Sequence, residues 1–113
     1  MDRSAGDVGL VALGGFLGAT GRYSVDLALG GVAGTFAVNV AGAFLLGLLV
    51  ATVTDRRARL LFGTGVLSSF TTYSAFAHDA VTLGTVAGAG YVAATYAVGF
   101  AAAGAGLALG GRR

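Results

Sequence analysis

The sequence contains no cysteine, lysine, glutamate, tryptophan or proline, and only one histidine. The absence of cysteine excludes disulfides and thiolate chemistry. Charged residues make up 11% of the chain, whereas a typical soluble domain carries about 25%. This is too little charge to cover a water-facing surface, which argues against a soluble enzyme or a nucleic-acid-binding protein. Because hydrophobic residues make up 56% of the chain, the composition predicts an integral membrane protein.

Long uncharged runs predict four membrane-spanning helices in a single domain, residues 1–113. A helix needs about 20 apolar residues to cross the hydrocarbon core of a bilayer. The predicted spans cover residues 8–29, 35–54, 60–83 and 88–109. The first span reaches this length only if it includes Arg22 and Asp26, which lie four apart on one helical face and could pair there. The predicted fold class is therefore all-α, with four transmembrane helices.

The arginines are distributed unevenly between the two sides of this four-span layout. The N-terminus, the second loop and the C-terminus lie on one side, and they hold six of the seven arginines. These are Arg3, Arg56, Arg57, Arg59, Arg112 and Arg113. The positive-inside rule therefore predicts a multi-pass protein of the cell membrane with both termini in the cytoplasm.

Glycine accounts for 21 of the 113 residues, and several glycines lie four apart. In lipid, such pairs allow helix backbones to approach closely. The pairs are Gly14/Gly18, Gly30/Gly34 and Gly84/Gly88. We expect them to lie where helices pack against one another.

The stretch "SSFTTYSAF", residues 68–76, is unusually polar for the middle of a span. Serine and threonine side chains can compete with the hydrogen bonds of a helix. Within a bilayer, a helix break is tolerated where the freed backbone faces protein or a water-filled cavity, and such breaks often hold ion sites. The stretch therefore predicts a break in the third helix. The alternative is an intact helix whose hydroxyls bond to the carbonyl four residues earlier.

Several side chains in or near the spans could form an anion path. Tyr73 and Phe76 share a helical face, and the positive edges of their rings can line such a path without a full charge; core packing is the alternative. The amide of Asn39 can donate to an anion or form an interhelical hydrogen bond. Tyr91 and Thr95 also share a face, which indicates either a track of hydroxyls or interhelical bonding.

Two further groups of charged or titratable residues need an interpretation. Arg22 lies near or within the membrane boundary, where a charge is a functional candidate; a surface anchor paired with Asp26 is the alternative. Ser74, His78 and Asp79 are bunched on one helix, with neither a nucleophile elbow nor an oxyanion motif. They predict neither an enzyme nor a metal site.

Four stretches together resemble the Fluc family of fluoride channels, also called CrcB-like proteins. "GGFLGATGRY" is similar to the family pattern GGxxGAxxRY, and "GTFAVNVAGAFLLG" is similar to GTxxxNxxGxFxxG. "GVLSSFTTYSAF" resembles GFxGGxTTFSTF, and "YVAATYAVG" resembles the Tyr-x-x-x-Ser pattern of the last helix. The motifs follow the family order and cover nearly the whole chain.

The resemblance implies an antiparallel dimer of four-helix subunits with two narrow pores at the interface. It also implies a third helix broken at mid-membrane, where backbone carbonyls of both subunits hold one structural sodium ion. The implied anion path consists of Asn39, Tyr73, Phe76, Tyr91 and Thr95. The sodium-facing carbonyls map to Ser68 and Thr71, and the vestibule arginine maps to Arg22.

This chain departs from the family pattern at four positions. Ser68-Ser69 replaces Gly-Gly, and serine tolerates left-handed backbone angles less well than glycine, which bears on the break and on the sodium site. Tyr73 replaces phenylalanine, Ala75 replaces threonine and Asp79 replaces glutamate.

The function predicted from this resemblance is passive export of cytoplasmic fluoride through a fluoride-selective channel. The second subunit could be another copy of the chain. The arginine bias instead favours an oppositely oriented homologue in an antiparallel heterodimer. One alternative function is a pore-poor structural subunit of such a heterodimer. Another is a small multidrug transporter, but those proteins depend on a membrane-embedded glutamate and this chain has none.

Overall fold

Residues 3–112, the part of the chain that the computed structural model describes, form helices joined by short non-helical segments and contain no β-strand. Arg113, one of the arginines predicted to be cytoplasmic, lies outside the described residues. The helices are α1 (Arg3–Ala28), α2 (Gly31–Thr52), α3 (Arg56–Arg59), π1 (Leu60–Leu67), α4 (Ser68–Phe70), α5 (Tyr73–Thr82) and α6 (Thr85–Gly110). The all-α fold class is confirmed.

Two of these helices, α2 and α6, are long and apolar enough to cross a membrane by length and composition. They pack along each other at glycines. A Cβ atom on Gly106 would lie 2.7 Å from the backbone nitrogen of Leu48, and one on Gly47 would lie 3.1 Å from the nitrogen of Leu107. The two helices can approach this closely only because the glycines have no side chain. Close backbone packing of this kind holds helices together in lipid, where burial of apolar surface gives no driving force.

A second close contact joins α1 to π1, which has the wider turns of a π-helix. A Cβ atom on Gly14 would lie 2.7 Å from the Cα atom of Gly65, and Gly18 packs against the backbone of Val66. The Gly14/Gly18 pair therefore lies at a helix contact. Gly30 and Gly84 have another role, because they precede α2 and α6 with φ angles of +67° and +89°.

The helical path that begins at α3 is interrupted at two residues between α4 and α5. Thr71 has φ −82° and ψ 161°, and Thr72 has φ −147° and ψ 118°, so both are extended. Ser68 keeps right-handed helical angles, with φ −67° and ψ −28°. No residue other than glycine has a positive φ between residues 3 and 112. The Ser68-Ser69 replacement therefore causes no left-handed strain.

Contacts between distant segments place the described arginine-bearing termini and loop at one end of the molecule. Arg56 Nη1 donates to Asp7 Oδ1 at 3.1 Å, which joins α3 to the start of α1. Gly110, at the end of α6, packs against Ala51 and Thr52 at the end of α2. This is the arrangement of the described arginines that the four-span layout predicts.

Candidate functional site

Asn39 holds the interrupted segment by both of its amide atoms. Its Nδ2 donates to the carbonyl of Thr72 at 3.0 Å, and its Oδ1 accepts from the N–H of Thr72 at 2.8 Å. One side chain on α2 therefore satisfies both backbone groups of an extended residue. The interhelical hydrogen bond, one of the two interpretations of Asn39, is present. Because an amide carries two N–H donors, one of them remains for another acceptor.

The same contacts release two carbonyls from the helical ladder. In a continuous α-helix, the Ser68 carbonyl would accept from the N–H of Thr72, which here donates to Asn39. The Thr71 carbonyl would accept from the N–H of Ala75, which here donates to Thr72 Oγ1 at 3.1 Å. Unwound backbone carbonyls are ligands that suit sodium. The predicted pair, Ser68 and Thr71, therefore has carbonyls without their helical partners, and the binding of sodium by them stays a prediction.

Three hydroxyls next to the interruption, those of Ser68, Ser69 and Thr71, donate to carbonyls of the helix that precedes it. Ser69 Oγ donates to the Gly65 carbonyl at 2.6 Å, and Thr71 Oγ1 donates to the Leu67 carbonyl at 2.9 Å. Ser68 Oγ donates to the carbonyl of Thr64. This is the bonding expected for an intact helix, yet the helix ends at Phe70. The hydroxyls therefore stabilise the last turn before the interruption and do not prevent it.

Arg22 reaches the interruption from the side of α1. Its Nε donates to the carbonyl of Ser69 at 3.1 Å in a half-buried position. In a continuous helix this carbonyl would accept from the N–H of Tyr73, so the guanidinium replaces a donor lost at the interruption. The suggested pairing of Arg22 with Asp26 is wrong. The ion pair found among residues 3–112 is between Arg56 and Asp7, and Arg22 donates to a backbone carbonyl instead.

An open groove of about 420 Å³ runs past the interruption between α2, the segment from π1 to α5, and α6. Six of the eight predicted site residues line it: Asn39, Ser68, Thr71, Tyr73, Phe76 and Thr95. Arg22 lies outside its lining, and so does Tyr91, whose ring contacts Phe76. The groove therefore brings together residues that carry an amide, aromatic rings and hydroxyls, and the two residues whose carbonyls have left the helical ladder.

Phe76 is the centre of an aromatic cluster. Its ring is buried, and its centroid lies 5.9 Å from that of Tyr73 and 5.4 Å from that of Tyr91. Tyr96 packs against it at 5.9 Å with an interplanar angle of 87°, an edge-to-face contact. Sequence reasoning missed Tyr96. Its spacing of four from Phe100, whose ring lies 5.8 Å away, could have indicated an aromatic face on α6.

Three buried polar atoms next to this cluster have no hydrogen-bond partner among the described residues: Asp79 Oδ2, Tyr91 Oη and Thr95 Oγ1. A buried polar atom left unpaired costs about 1–3 kcal/mol. Interhelical hydrogen bonding was one interpretation of Tyr91 and Thr95, but neither hydroxyl forms such a bond with any described residue. Each hydroxyl therefore keeps an unused donor within the buried interior of the subunit.

Known proteins match this chain over most of its length. Residues 9–107 match the family described as CrcB-like protein, Camphor Resistance (CrcB). "Fluoride-specific ion channel FluC 2" of Halobacterium salinarum is 49% identical over 98 residues, which are 81% of this chain and 77% of the relative. "Fluoride-specific ion channel FluC" of Agrobacterium fabrum is 44% identical over an alignment of 119 positions, which covers 92% of this chain and 95% of the relative.

"Fluoride-specific ion channel FluC 1" of Rhodococcus jostii is 44% identical over 106 residues, with 93% of this chain and 86% of the relative covered. The resemblance drawn from the four motifs is thus confirmed along nearly the whole sequence. The chain belongs to the CrcB-like family.

Proposed function

We propose that the protein is a fluoride-selective channel through which cytoplasmic fluoride leaves the cell by passive diffusion. The groove beside the interruption is the observation that carries this proposal. It joins hydrogen-bond donors to aromatic rings without placing a fixed positive charge in its lining. The relatives described above carry names that state fluoride specificity, and they match the chain across the groove-forming helices.

The proposed path replaces the water shell of fluoride with weak, distributed contacts. The second N–H of Asn39 and the hydroxyls of Tyr91 and Thr95 are donors, and the ring edges of Tyr73 and Phe76 carry partial positive charge. Several weak sites in sequence let an anion bind and then leave. A narrow path of this kind excludes larger halides by size.

The groove needs a second subunit to become a pore, because it is open along one side. Tyr73, at its edge, is 75% exposed. We propose an antiparallel dimer in which the partner covers the groove and the interruption lies near mid-membrane. The carbonyls of Ser68 and Thr71 from both subunits would hold a sodium ion. The positive charge of this ion would hold the interrupted segments of the two subunits together.

The arginine bias favours a fixed orientation, with both termini in the cytoplasm. An antiparallel partner then has to insert the opposite way, so we propose a related chain with the opposite bias. Cysteines added at either terminus should react with an impermeant reagent from the cytoplasmic side only. Labelling from both sides would exclude a fixed orientation and favour a homodimer.

Fluoride efflux from liposomes containing this chain alone tests the channel directly, with chloride efflux as the control. Flux of fluoride without chloride would support a self-sufficient homodimer. If folded protein gives no flux, reconstitution with an oppositely biased homologue should restore it. If neither preparation shows fluoride efflux, the channel assignment is contradicted.

A second candidate function is a pore-poor structural subunit of the heterodimer. The replacement of phenylalanine by Tyr73 at the groove edge favours it, because a phenolic hydroxyl changes the lining. Pairing with a homologue whose own pore is blocked by mutation separates the two functions. Remaining flux would have to pass through the pore of this chain.

A further inference from the structure

The end of the molecule that carries the arginines is strongly basic; we call it the basic end. Among the described residues it holds five arginines and two aspartates: Arg3, Arg56, Arg57, Arg59, Arg112, Asp7 and Asp55. Both aspartates are engaged within the protein. Asp7 pairs with Arg56, and Asp55 accepts from the N–H of Ala58 at 2.9 Å. The excess of positive charge therefore has no compensating group within the described part of this end.

Two of these arginines present donors outward. Arg59 caps the end of α2, with Nε donating to the Val53 carbonyl at 2.6 Å and Nη2 to the Val50 carbonyl at 3.2 Å. A guanidinium has five N–H donors, so three of its donors remain. Arg57 is exposed and forms no side-chain hydrogen bond or ion pair with any described residue. A ligand with several acceptor oxygens suits this pair.

An apolar groove of about 280 Å³ begins where these donors lie. It runs between the second half of α2 and π1, and its lining includes Leu45, Leu49, Val53, Phe62 and Val66. Val53 connects the two features, because it lines the groove while its carbonyl accepts from Arg59. Phe62, on the opposite wall, is 48% exposed. The groove therefore presents an apolar surface directly beneath a guanidinium.

We propose that this end binds an anionic phospholipid, with its phosphate at Arg57 and Arg59 and one acyl chain in the groove. Guanidinium groups bind phosphate through paired hydrogen bonds. A free phosphate would leave the groove unfilled, and an uncharged apolar molecule would leave the guanidinium donors unmatched. The cytoplasmic leaflet, where the arginine bias places this end, is the anionic one. Charge and shape thus select the same ligand.

Retention of defined lipids by the purified full-length chain in detergent tests the proposal, with native mass spectrometry as the readout. We expect dioleoylphosphatidylglycerol to be retained in preference to dioleoylphosphatidylcholine. Arg57→Gln should lower that preference about fivefold, since one arginine near an anionic surface contributes about that factor. Arg57→Lys should keep most of it, because the charge remains.

The acyl chain is tested separately with Phe62→Ala. Removal of this ring should weaken retention of both lipids alike, because it changes the groove and leaves the charges in place. Phe16→Ala is the matched control, since Phe16 is exposed on α1 and lies outside the lining of the groove. It should leave retention of both lipids unchanged.

Four results would overturn the proposal. Equal retention of the two lipids, or an unchanged preference in Arg57→Gln, would exclude a headgroup site. Binding of glycerol 1-phosphate as tight as that of the lipid would reduce the site to an anion site without an acyl chain. Protection of the thiol of Phe62→Cys from a membrane-permeant maleimide in the assembled, delipidated protein would show that protein covers the groove.

Discussion

Two of the places where the chain leaves the helical ladder, the end of α2 and the interruption after α4, are capped differently. At the end of α2, the guanidinium of Arg59 donates to the carbonyls of Val50 and Val53. At the interruption after α4, the neutral amide of Asn39 satisfies both backbone groups of Thr72. A charged cap suits a helix end beside headgroups and water. Within the apolar interior an uncompensated charge is costly, so an amide that both donates and accepts is the better cap.

The two caps also differ in what they leave uncovered. Arg59 covers carbonyls at the end of α2, and the chain then turns into α3. Asn39 accepts from the N–H of Thr72, which would have donated to the Ser68 carbonyl in a continuous helix. The amide therefore pairs the backbone of Thr72 and leaves the Ser68 carbonyl without its helical partner. The amide cap thus frees a backbone carbonyl as a potential ligand, whereas the guanidinium cap covers carbonyls and keeps its remaining N–H donors for other acceptors.

The largest effect is expected from Asn39→Ala. It leaves the N–H and the carbonyl of Thr72 without their partners, at a cost of about 1–3 kcal/mol for each group. Fluoride efflux from liposomes should fall at least tenfold, and the melting temperature in detergent should drop. Thr35→Ala, which removes a buried hydroxyl on the same helix that bonds only to the Gly31 carbonyl, is the control. If both variants behave alike, Asn39 has no special role.

Phe76→Ile should also reduce fluoride efflux sharply while the protein still assembles. The substitution keeps an apolar side chain but removes the ring edge and three aromatic contacts. Size-exclusion chromatography should show the unchanged oligomer. Phe100→Ile is the matched control, because Phe100 contacts only the outer side of the cluster through Tyr96. An unchanged flux in Phe76→Ile would mean that the ring does not line the path.

Tyr96→Leu should have an intermediate effect. The edge-to-face contact with Phe76 contributes about 0.5–1.5 kcal/mol beyond its buried area, so its loss should free the Phe76 ring to reorient. We expect a severalfold loss of fluoride efflux. Tyr96→Phe keeps the ring and should retain the flux. A loss in Tyr96→Phe as large as in Tyr96→Leu would assign the effect to the hydroxyl instead.

The smallest effect concerns the ion pair of the basic end. The hydrogen bond from Arg56 lowers the pKa of the Asp7 carboxyl below its ordinary value of 3.8. The ion pair therefore stabilises the fold above about pH 4, and this contribution is lost as the pH falls through the lowered pKa. The melting temperature of the wild type should decline slightly more steeply with acid than that of Arg56→Gln. Parallel curves would show that the pair contributes nothing.

The sequence predicted the helical class, because hydrophobic runs are a local property, and six of the eight site residues that it singled out line the groove. It could not predict the partners of long side chains. The spacing of Arg22 and Asp26 suggested a local pair, but the interruption offered a backbone carbonyl that only the tertiary fold brings near. The π-helical turns of π1 were not predicted either. They lie against the glycines of α1, and that contact is not visible in either segment alone.

The open groove has a consequence for the supply of this protein in the cell. A single chain in the bilayer would leave the groove, whose lining includes Ser68 and Thr71, open to acyl chains, which offer no hydrogen bonds to polar groups. Each such group costs several kcal/mol, so in the proposed dimer an unpaired subunit would be short-lived. We expect chains made in excess of their partner to be degraded by membrane proteases. The abundance of the channel would then follow whichever subunit is synthesised more slowly.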